Sequence, residues 1–422
     1  MSGNHTMDNG EQAVIVGGGH AAGELAIALR RNGWEGGITL VGEEPYLPYQ
    51  RPPLSKDYLA GDMRPEALYL RPRSSYDEAR VTLLTGVRVE RIDRDLRTLT
   101  LSNGAQLPYS KLALATGGRP RRLALADEGD AARADNLHYL RTIADVERIQ
   151  RQLKPGARLV IVGGGYVGLE MAASASRRGV GVTVLEAQPR VLARVTAPVL
   201  SAFYERVHRE AGVQIRTGVE VTALETCAAR GAVSALHCSD GTRVEADLVV
   251  VGIGLIPNIE LAREAGLETD NGIVVDEYAQ TGDADIVAAG DCACYVNRAG
   301  GGRMRLESVQ NAVDQARTAA ATLCGKRQPH NAVPWFWSDQ YDLKLKMAGL
   351  SQGYQQLVLR GSPEGRSFSA FYLKDGRVIS ADTVNRPVEF MVAKRLIAES
   401  IPVDAAVLAD EGVDLKTLLA KA

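Results

Sequence analysis

Two glycine-rich stretches hold the chemistry that this sequence can do. One is Gly17-x-Gly19-x-x-Ala22 and the other is Gly163-x-Gly165-x-x-Gly168. Each follows a short strand-like run, Ala13 to Val16 or Arg158 to Val162. Each opens a segment with helical spacing, Ala21 to Asn32 or Tyr166 to Arg178. Glycines in such a turn let the backbone approach a pyrophosphate, and a helix N-terminus meets it with unpaired N–H groups and a positive dipole. An acidic residue stands about twenty residues further on in both copies, Glu43 and Glu186, where a carboxylate can take ribose hydroxyls. A single GxGxxG is a weak signal, because glycine-rich turns are common. Two copies, each between strand and helix and each with its carboxylate, argue for two dinucleotides on one chain: a flavin and a nicotinamide.

Hydride transfer between such cofactors needs no side-chain acid or base, because the protein only binds and orients them. No catalytic triad is expected, and the six histidines are scattered. His20 opens the first helix and reads as a helix-terminal residue near phosphate. The five cysteines, Cys227, Cys238, Cys292, Cys294 and Cys324, form no CxxC, as expected of reduced thiols. Cys292 and Cys294 would share one face of an extended segment. No second pair or histidine cluster completes a metal site, so they read as buried structural residues.

The elements that must position these turns follow from the apolar pattern. Ile38 to Val41 and Val182 to Leu185 are the second strands of two βαβ units, with Gly33 and Gly179 as helix stops. Lys111 to Gly117 and Asp247 to Gly254 are return strands, and Asp285 to Asp291 is a third. Val309, Val313, Ala316 and Ala320 share one helix face. Beyond about Gly325 the sequence alternates apolar and polar residues, with a hairpin signal at Asp375-Gly376 and a helix from Pro387 to Ser400. The fold class is α/β: two Rossmann-like dinucleotide-binding domains and a C-terminal α+β domain with an antiparallel sheet.

Length and charge agree. A chain of 422 residues has room for about three domains. Its 43 glycines exceed the usual level of about 7%, which implies many tight turns. A formal net charge of -2 argues against a general nucleic-acid binder. The longest apolar run, Leu248 to Pro257, is far short of the roughly 20 residues of a membrane span. The polar start, MSGNHTMDNG, lacks a signal-peptide layout and reads as a disordered tail, so a cytoplasmic protein is expected.

Further motifs narrow the reading. GGGHAAG, PYQRPPLSKDYLAG, ATGGRPR, YLRT, GGGYVGLE, TAPVLSAFY, VGIGLIPN, AAGDC, ESVQNA and PWFWSDQY together resemble the putidaredoxin reductase type of flavoprotein. These are the NADH-dependent ferredoxin reductases that feed bacterial cytochrome P450 and Rieske oxygenase systems. The similarity runs from about Gln12 into the C-terminal region. ATG is generic to two-dinucleotide flavoproteins, whereas RPPLSK together with PWFWSDQ is specific.

The resemblance implies an FAD domain split by an NADH domain: 11–117 and 254–327 for FAD, 118–253 for NADH, and 328–422 as a C-terminal interface domain. It puts Gly17, Gly19, His20, Ala21, Ala22, Glu43, Arg51, Val89, Ala115, Thr116, Gly117, Arg141, Asp291 and Val309 on FAD. Gly163, Gly165, Tyr166, Val167, Gly168 and Glu186 go to NAD(H), and Lys56, Arg194, Gly254 and Trp337 are further cofactor-binding candidates. Lys56 and Glu170 are implied as a catalytic pair beside the flavin, although a surface lysine and an ordinary helical glutamate are the plainer readings. Trp335, Phe336 and Trp337 read as sheet core, with Trp337 the candidate for an electron route. No metal ligand is implied.

Disulfide reductases of this fold carry a redox cysteine beside the flavin, and Tyr46 to Lys56 holds none. Electrons must therefore leave for a partner. The implied partner is an acidic [2Fe–2S] ferredoxin, docking on a basic face that includes Arg71, Arg317, Lys346, Lys394 and Lys416, on a monomer or weak dimer. A soluble NADH oxidase or quinone reductase is an alternative within the fold. A flavoprotein similar to apoptosis-inducing factor, in which NADH is sensed and not turned over, is an alternative of another class.

Overall fold

The computed structural model describes residues 10–125, 134–227, 231–296 and 302–419. Most of the expected disordered tail, residues 1–9, lies outside them. The chain groups into two compact units: Met1–Arg51, Glu66–Arg119 and Ile256–Ala332 in one, and Pro52–Pro65, Pro120–Leu255 and Val333–Ala422 in the other.

The first unit is built on a five-stranded parallel sheet in the order Ile286–Ala288, Lys111–Leu114, Gln12–Val16, Gly37–Gly42, Val81–Thr85. Its strands are apolar on both faces because both are covered. Ala13 and Ile15 pack against Leu25 and Leu29 of helix His20–Arg31 and against Ala316 and Ala319 of helix Val309–Leu323. Val14 and Val16 point the other way, into a cluster with Leu99, Leu101 and Ile273. Leu29 is fully buried, so Leu29→Ala would cost about 2–5 kcal/mol.

The second unit repeats this plan with strands in the order Gln214–Thr217, Gly181–Glu186, Arg158–Val162, Leu248–Val251, Leu137–Tyr139, all parallel. Val160 and Val162 face Val233 and Leu236 of a three-stranded antiparallel sheet. Helix Tyr166–Ser176 buries Leu169, Met171 and Ala172. The same unit ends in a five-stranded antiparallel sheet, Trp335–Gln340, Leu343–Gly349, Arg377–Val384, Ser367–Lys374, Gln356–Ser362, packed on helix Pro387–Ala398. Asp375 and Gly376 form its hairpin turn, both at positive φ, 49° and 68°, as a twist-matched two-residue turn requires.

The return strands end sooner than their apolar runs. Lys111–Leu114 stops before Ala115, and Leu248–Val251 before Gly252. In both cases the backbone must leave the sheet to pass under a glycine turn.

Candidate functional site

In each unit the turn after the central strand crosses over the end of the return strand. A Cβ on Gly17 would lie 2.1 Å from the Ala115 carbonyl oxygen, and one on Gly163 would lie 2.4 Å from that of Gly252. Both glycines also have positive φ, 136° and 114°, which side chains rarely adopt. These two glycines are therefore demanded by the backbone itself.

The second glycines differ. Gly19 and Gly165 have ordinary φ values of -97° and -81°. A Cβ on either would meet no atom within 4 Å. Nothing among the described residues requires glycine at these positions, whereas a ligand approaching the backbone does. Helices His20–Arg31 and Tyr166–Ser176 have no acidic residue in the first turn and no side-chain cap, so nothing on their own first turns repels an anion at the N-terminus. This donor set fits the pyrophosphate of a dinucleotide twice.

Around the first turn the chain gathers several expected residues. Gly290, at φ 86°, backs onto Ala21: a Cβ there would be 3.1 Å from that of Ala21. This brings Asp291 to the start of the helix. Arg51 pairs with Glu44 at 2.9 Å and lies within electrostatic reach of Asp291. Thr116 Oγ1 donates to the Asn258 carbonyl at 2.6 Å, and Gly117 turns the chain at φ 63°. Val309 opens its helix beside the Ser308 cap, and Val89 is buried in strand Val89–Asp93. Arg141 belongs to the other unit, just before the Thr142 capping box of helix Ile143–Gln152.

Strand register places the two carboxylates differently. Gly17 N–H bonds to the Val41 carbonyl and Gly163 N–H to that of Leu185, so Glu186 corresponds to Gly42, and Glu43 lies one residue beyond. Glu186 Oε2 accepts the Gly164 N–H at 2.6 Å, and its Oε1 accepts the Gln188 N–H at 2.7 Å. Glu43 is exposed, with Arg88 3.8 Å away. Around the second turn Val167 is exposed, and the Arg194 guanidinium lies beside Gly254. A Cβ on Gly168 would be 2.2 Å from the Gly163 carbonyl oxygen.

Lys56 and Glu170 do meet. Nζ lies 2.8 Å from Glu170 Oε1, and both side chains are largely buried. Two hydroxyls that the sequence reading did not single out also donate to this carboxylate at 2.6 Å, Ser55 Oγ to Oε2 and Ser338 Oγ to Oε1. A buried charge is tolerable when paired and hydrogen-bonded in this way. Ser338 stands next to Trp337 on strand Trp335–Gln340. Trp337 packs 5.5 Å from the Trp335 ring and 6.3 Å from Phe336, and Phe336 lies 5.0 Å from Tyr166. Tyr166 donates to Met347 Sδ at 2.8 Å. In the same unit Asp382 accepts from Thr196 at 2.6 Å and Tyr372 at 2.5 Å, and burial pushes its carboxyl up to about 6.

The five expected docking cations fall into groups. Arg71 and Arg317 share Glu24, at 2.6 and 2.9 Å. Lys346 and Lys394 lie over the Phe390 ring, and Lys394 also lies over Trp335. Lys416 opens helix Lys416–Leu419. The arginines belong to one unit and the lysines to the other.

Cys292 and Cys294 are both buried, and burial pushes their thiols up, which makes them poor nucleophiles. Among the described residues no three His, Cys, Asp or Glu side chains come together as a metal set, and no helix is long and apolar enough to cross a membrane.

Comparison with known proteins agrees with this geometry. Residues 11–316 match the pyridine nucleotide-disulphide oxidoreductase family and residues 335–419 match the reductase C-terminal family. The chain is 51% identical to putidaredoxin reductase of Pseudomonas putida, covering 99% of this chain and 98% of that one. It is 45% identical to rhodocoxin reductase of Rhodococcus erythropolis, covering 97% and 94%. Among solved structures it superposes with a TM-score of 0.94 on the reductase of a covalent putidaredoxin reductase–putidaredoxin complex, at 52% identity over 98% of this chain and 99% of that one.

Proposed function

The chain belongs to the pyridine nucleotide-disulphide oxidoreductase family, and from that premise we propose that it is an FAD-dependent NADH:ferredoxin reductase. The bound groups supply hydride transfer from NADH to FAD and then single-electron transfer to a [2Fe–2S] ferredoxin that serves a cytochrome P450 or Rieske oxygenase. The chain's residues bind and orient them. The observation that carries the reading is the pair of open second glycines, Gly19 and Gly165, in two turns of one topology. They leave room for two dinucleotides. The stretch Tyr46 to Lys56 offers no thiol to take the electrons onward.

In this reading the first unit holds FAD through Gly17 to Ala22, Arg51, Thr116, Asp291 and Val309, with residues 118–253 inserted as the NADH domain and 328–422 as the interface domain. Lys56 and Glu170 act beside the flavin. The ferredoxin is acidic and meets Arg71, Arg317, Lys346, Lys394 and Lys416. The protein works in the cytoplasm as a monomer or weak dimer.

The test separates the two half-reactions. Acid precipitation releases FAD into the supernatant, and NADH then reduces the holoenzyme fast enough to sustain reduction of an added [2Fe–2S] ferredoxin. Ferredoxin reduction falls steeply with ionic strength, because exposed charges are screened over about 8 Å at physiological salt. Stopped-flow reduction by NADH stays nearly flat. Slow reduction with a persistent NADH complex and no ferredoxin turnover would favour a sensing flavoprotein instead.

A further inference from the structure

The Lys56–Glu170 pair is the end of a longer arrangement. Ser338 Oγ, which donates to Glu170 Oε1 at 2.6 Å, accepts from Gln340 Nε2 at 3.1 Å. Gln340 Oε1 lies 2.8 Å from His208 Nε2, and His208 Nδ1 lies 3.1 Å from the Tyr341 hydroxyl. Ser338, Gln340 and His208 are at most 1% exposed. The file joins helix Tyr166–Ser176, strand Trp335–Gln340 and helix Pro198–Glu210, all within one unit.

One charge dictates the direction of every bond in it. An ionised Glu170 can only accept, so Ser338 donates to it. The Ser338 oxygen then takes a donor, so the Gln340 amide turns its NH2 that way. The amide carbonyl is left facing His208, which must therefore carry its proton on Nε2. In a neutral ring Nδ1 is then an acceptor, and Tyr341 donates to it. Burial pushes the His208 ring below the ordinary imidazole value, against the opposite pull of its bond to Gln340, and so favours the neutral ring. Reversing the file requires an amide flip, a tautomer exchange and two hydroxyl rotations together. The amide in the middle does not shuttle protons, so the arrangement orients charge and does not conduct it.

We propose that Ser338, Gln340, His208 and Tyr341 are positioning residues: a one-directional file of donors that fixes Glu170 as the anionic partner of Lys56. Charge-assisted bonds of this kind are the strong ones, and aligned donors polarise one another. Its effect on turnover rests on the flavin-side role of Lys56 and Glu170 given above. The hydrogen-bond direction does not.

The direct test is two-bond 1H–15N correlation of the histidine rings in the 15N-labelled holoenzyme near neutral pH, with the His208 signals identified by their loss in His208→Gln. The expected ring is protonated at Nε2 and bare at Nδ1. A ring protonated at Nδ1, or at both nitrogens, overturns the proposal. In Glu170→Gln the amide can offer its NH2 to Ser338, so a second tautomer should appear. A His208 ring unchanged by Glu170→Gln would mean that the carboxylate does not set the direction. In stopped flow, Ser338→Ala should slow reduction by NADH about tenfold, the scale of a lost hydrogen bond to a charge. Ser338→Thr should restore it, and Ser338→Ala should add nothing to Glu170→Gln. Additive losses would show that Ser338 acts by another route. If Glu170→Gln leaves reduction untouched while the tautomers behave as stated, the file stands and the flavin-side reading of the pair fails.

Discussion

The two glycine turns of this chain share a topology and differ in what each residue is for. Their first glycines are alike: Gly17 and Gly163 pass 2.1 and 2.4 Å, at Cβ, from the carbonyl of the residue that follows the return strand. Their second glycines are alike in the opposite sense, since nothing among the described residues fills the space at Gly19 or Gly165. They part at the third position, where Ala22 stands in one and Gly168 in the other. They part again at the carboxylate, because Glu186 braces its own turn and Glu43 does not. One motif thus mixes positions fixed by folding with positions fixed by ligand, and a variant at each tells the two apart.

The largest effects should come from the positions fixed by folding. Gly17→Ala, Gly163→Ala and Gly168→Ala each drive a Cβ to 2.4 Å or less from a backbone oxygen. Each should cost more than about 4 kcal/mol, at the exceptional end for point changes. Soluble yield and thermal unfolding report this. Wild-type melting of Gly17→Ala would mean that the crossing gives way to a methyl group without cost.

Next come the ligand positions, which should separate the two cofactors without unfolding either unit. Gly19→Ala should fold and be purified depleted of FAD. Gly165→Ala should keep its FAD, accept electrons from dithionite as before, and show KM for NADH raised about tenfold or more, each tenfold being about 1.4 kcal/mol. If both variants lost only stability, the open space would have a structural reason after all.

The third position gives a smaller effect. Ala22 is fully buried in helix His20–Arg31. Ala22→Gly should lower stability by about 1 kcal/mol through helix propensity alone, read from denaturant midpoints at constant slope. A stabilised Ala22→Gly would show that the first turn wants the glycine it lacks.

Much of this comparison was legible in the sequence because it is local. Strand, glycines and helix follow one another, and apolar runs name the buried strands. The helix ends shifted only slightly: the first helix starts at His20 and the second ends at Ser176. What was not legible depends on register or on distant segments. Counting residues treats Glu43 as the counterpart of Glu186, whereas the bonds from Gly17 to Val41 and Gly163 to Leu185 put Gly42 there. Glu24, shared by Arg71 and Arg317, lies 47 and 293 residues from them. Ser55 and Ser338 sit inside the specific motifs RPPLSK and PWFWSDQ, yet neither motif tells that the two hydroxyls meet one carboxylate, and His208 lies in a third stretch that carries no such mark. The resemblance named Lys56 and Glu170 but not the hydroxyls that make their burial tolerable.

The smallest effects belong to the carboxylates, where the comparison is sharpest. Glu186 uses one oxygen on Gly164 N–H and the other on Gln188 N–H. Glutamine has only one acceptor oxygen, so Glu186→Gln leaves one of these N–H groups to water, at about 1 kcal/mol or less in a half-open site. It also removes the charge that would repel a 2′-phosphate. The expected result is a two- to threefold rise in KM for NADH with a larger gain for NADPH, so that the ratio of kcat/KM values narrows by roughly fivefold, the scale of about 1 kcal/mol. Glu43 carries no such bracing load. It is exposed, and its contact with Arg88 at 3.8 Å is of the kind worth little. Glu43→Gln should leave stability within about 0.5 kcal/mol of wild type, with FAD content and coenzyme preference unchanged. FAD dissociation, followed by fluorescence on dilution, is then the one place where Glu43 can show itself. A dissociation constant weakened about threefold would assign it to the adenosine ribose. No change would leave that ribose to groups on the strand side of Gly42, and the two turns would differ in this respect as well.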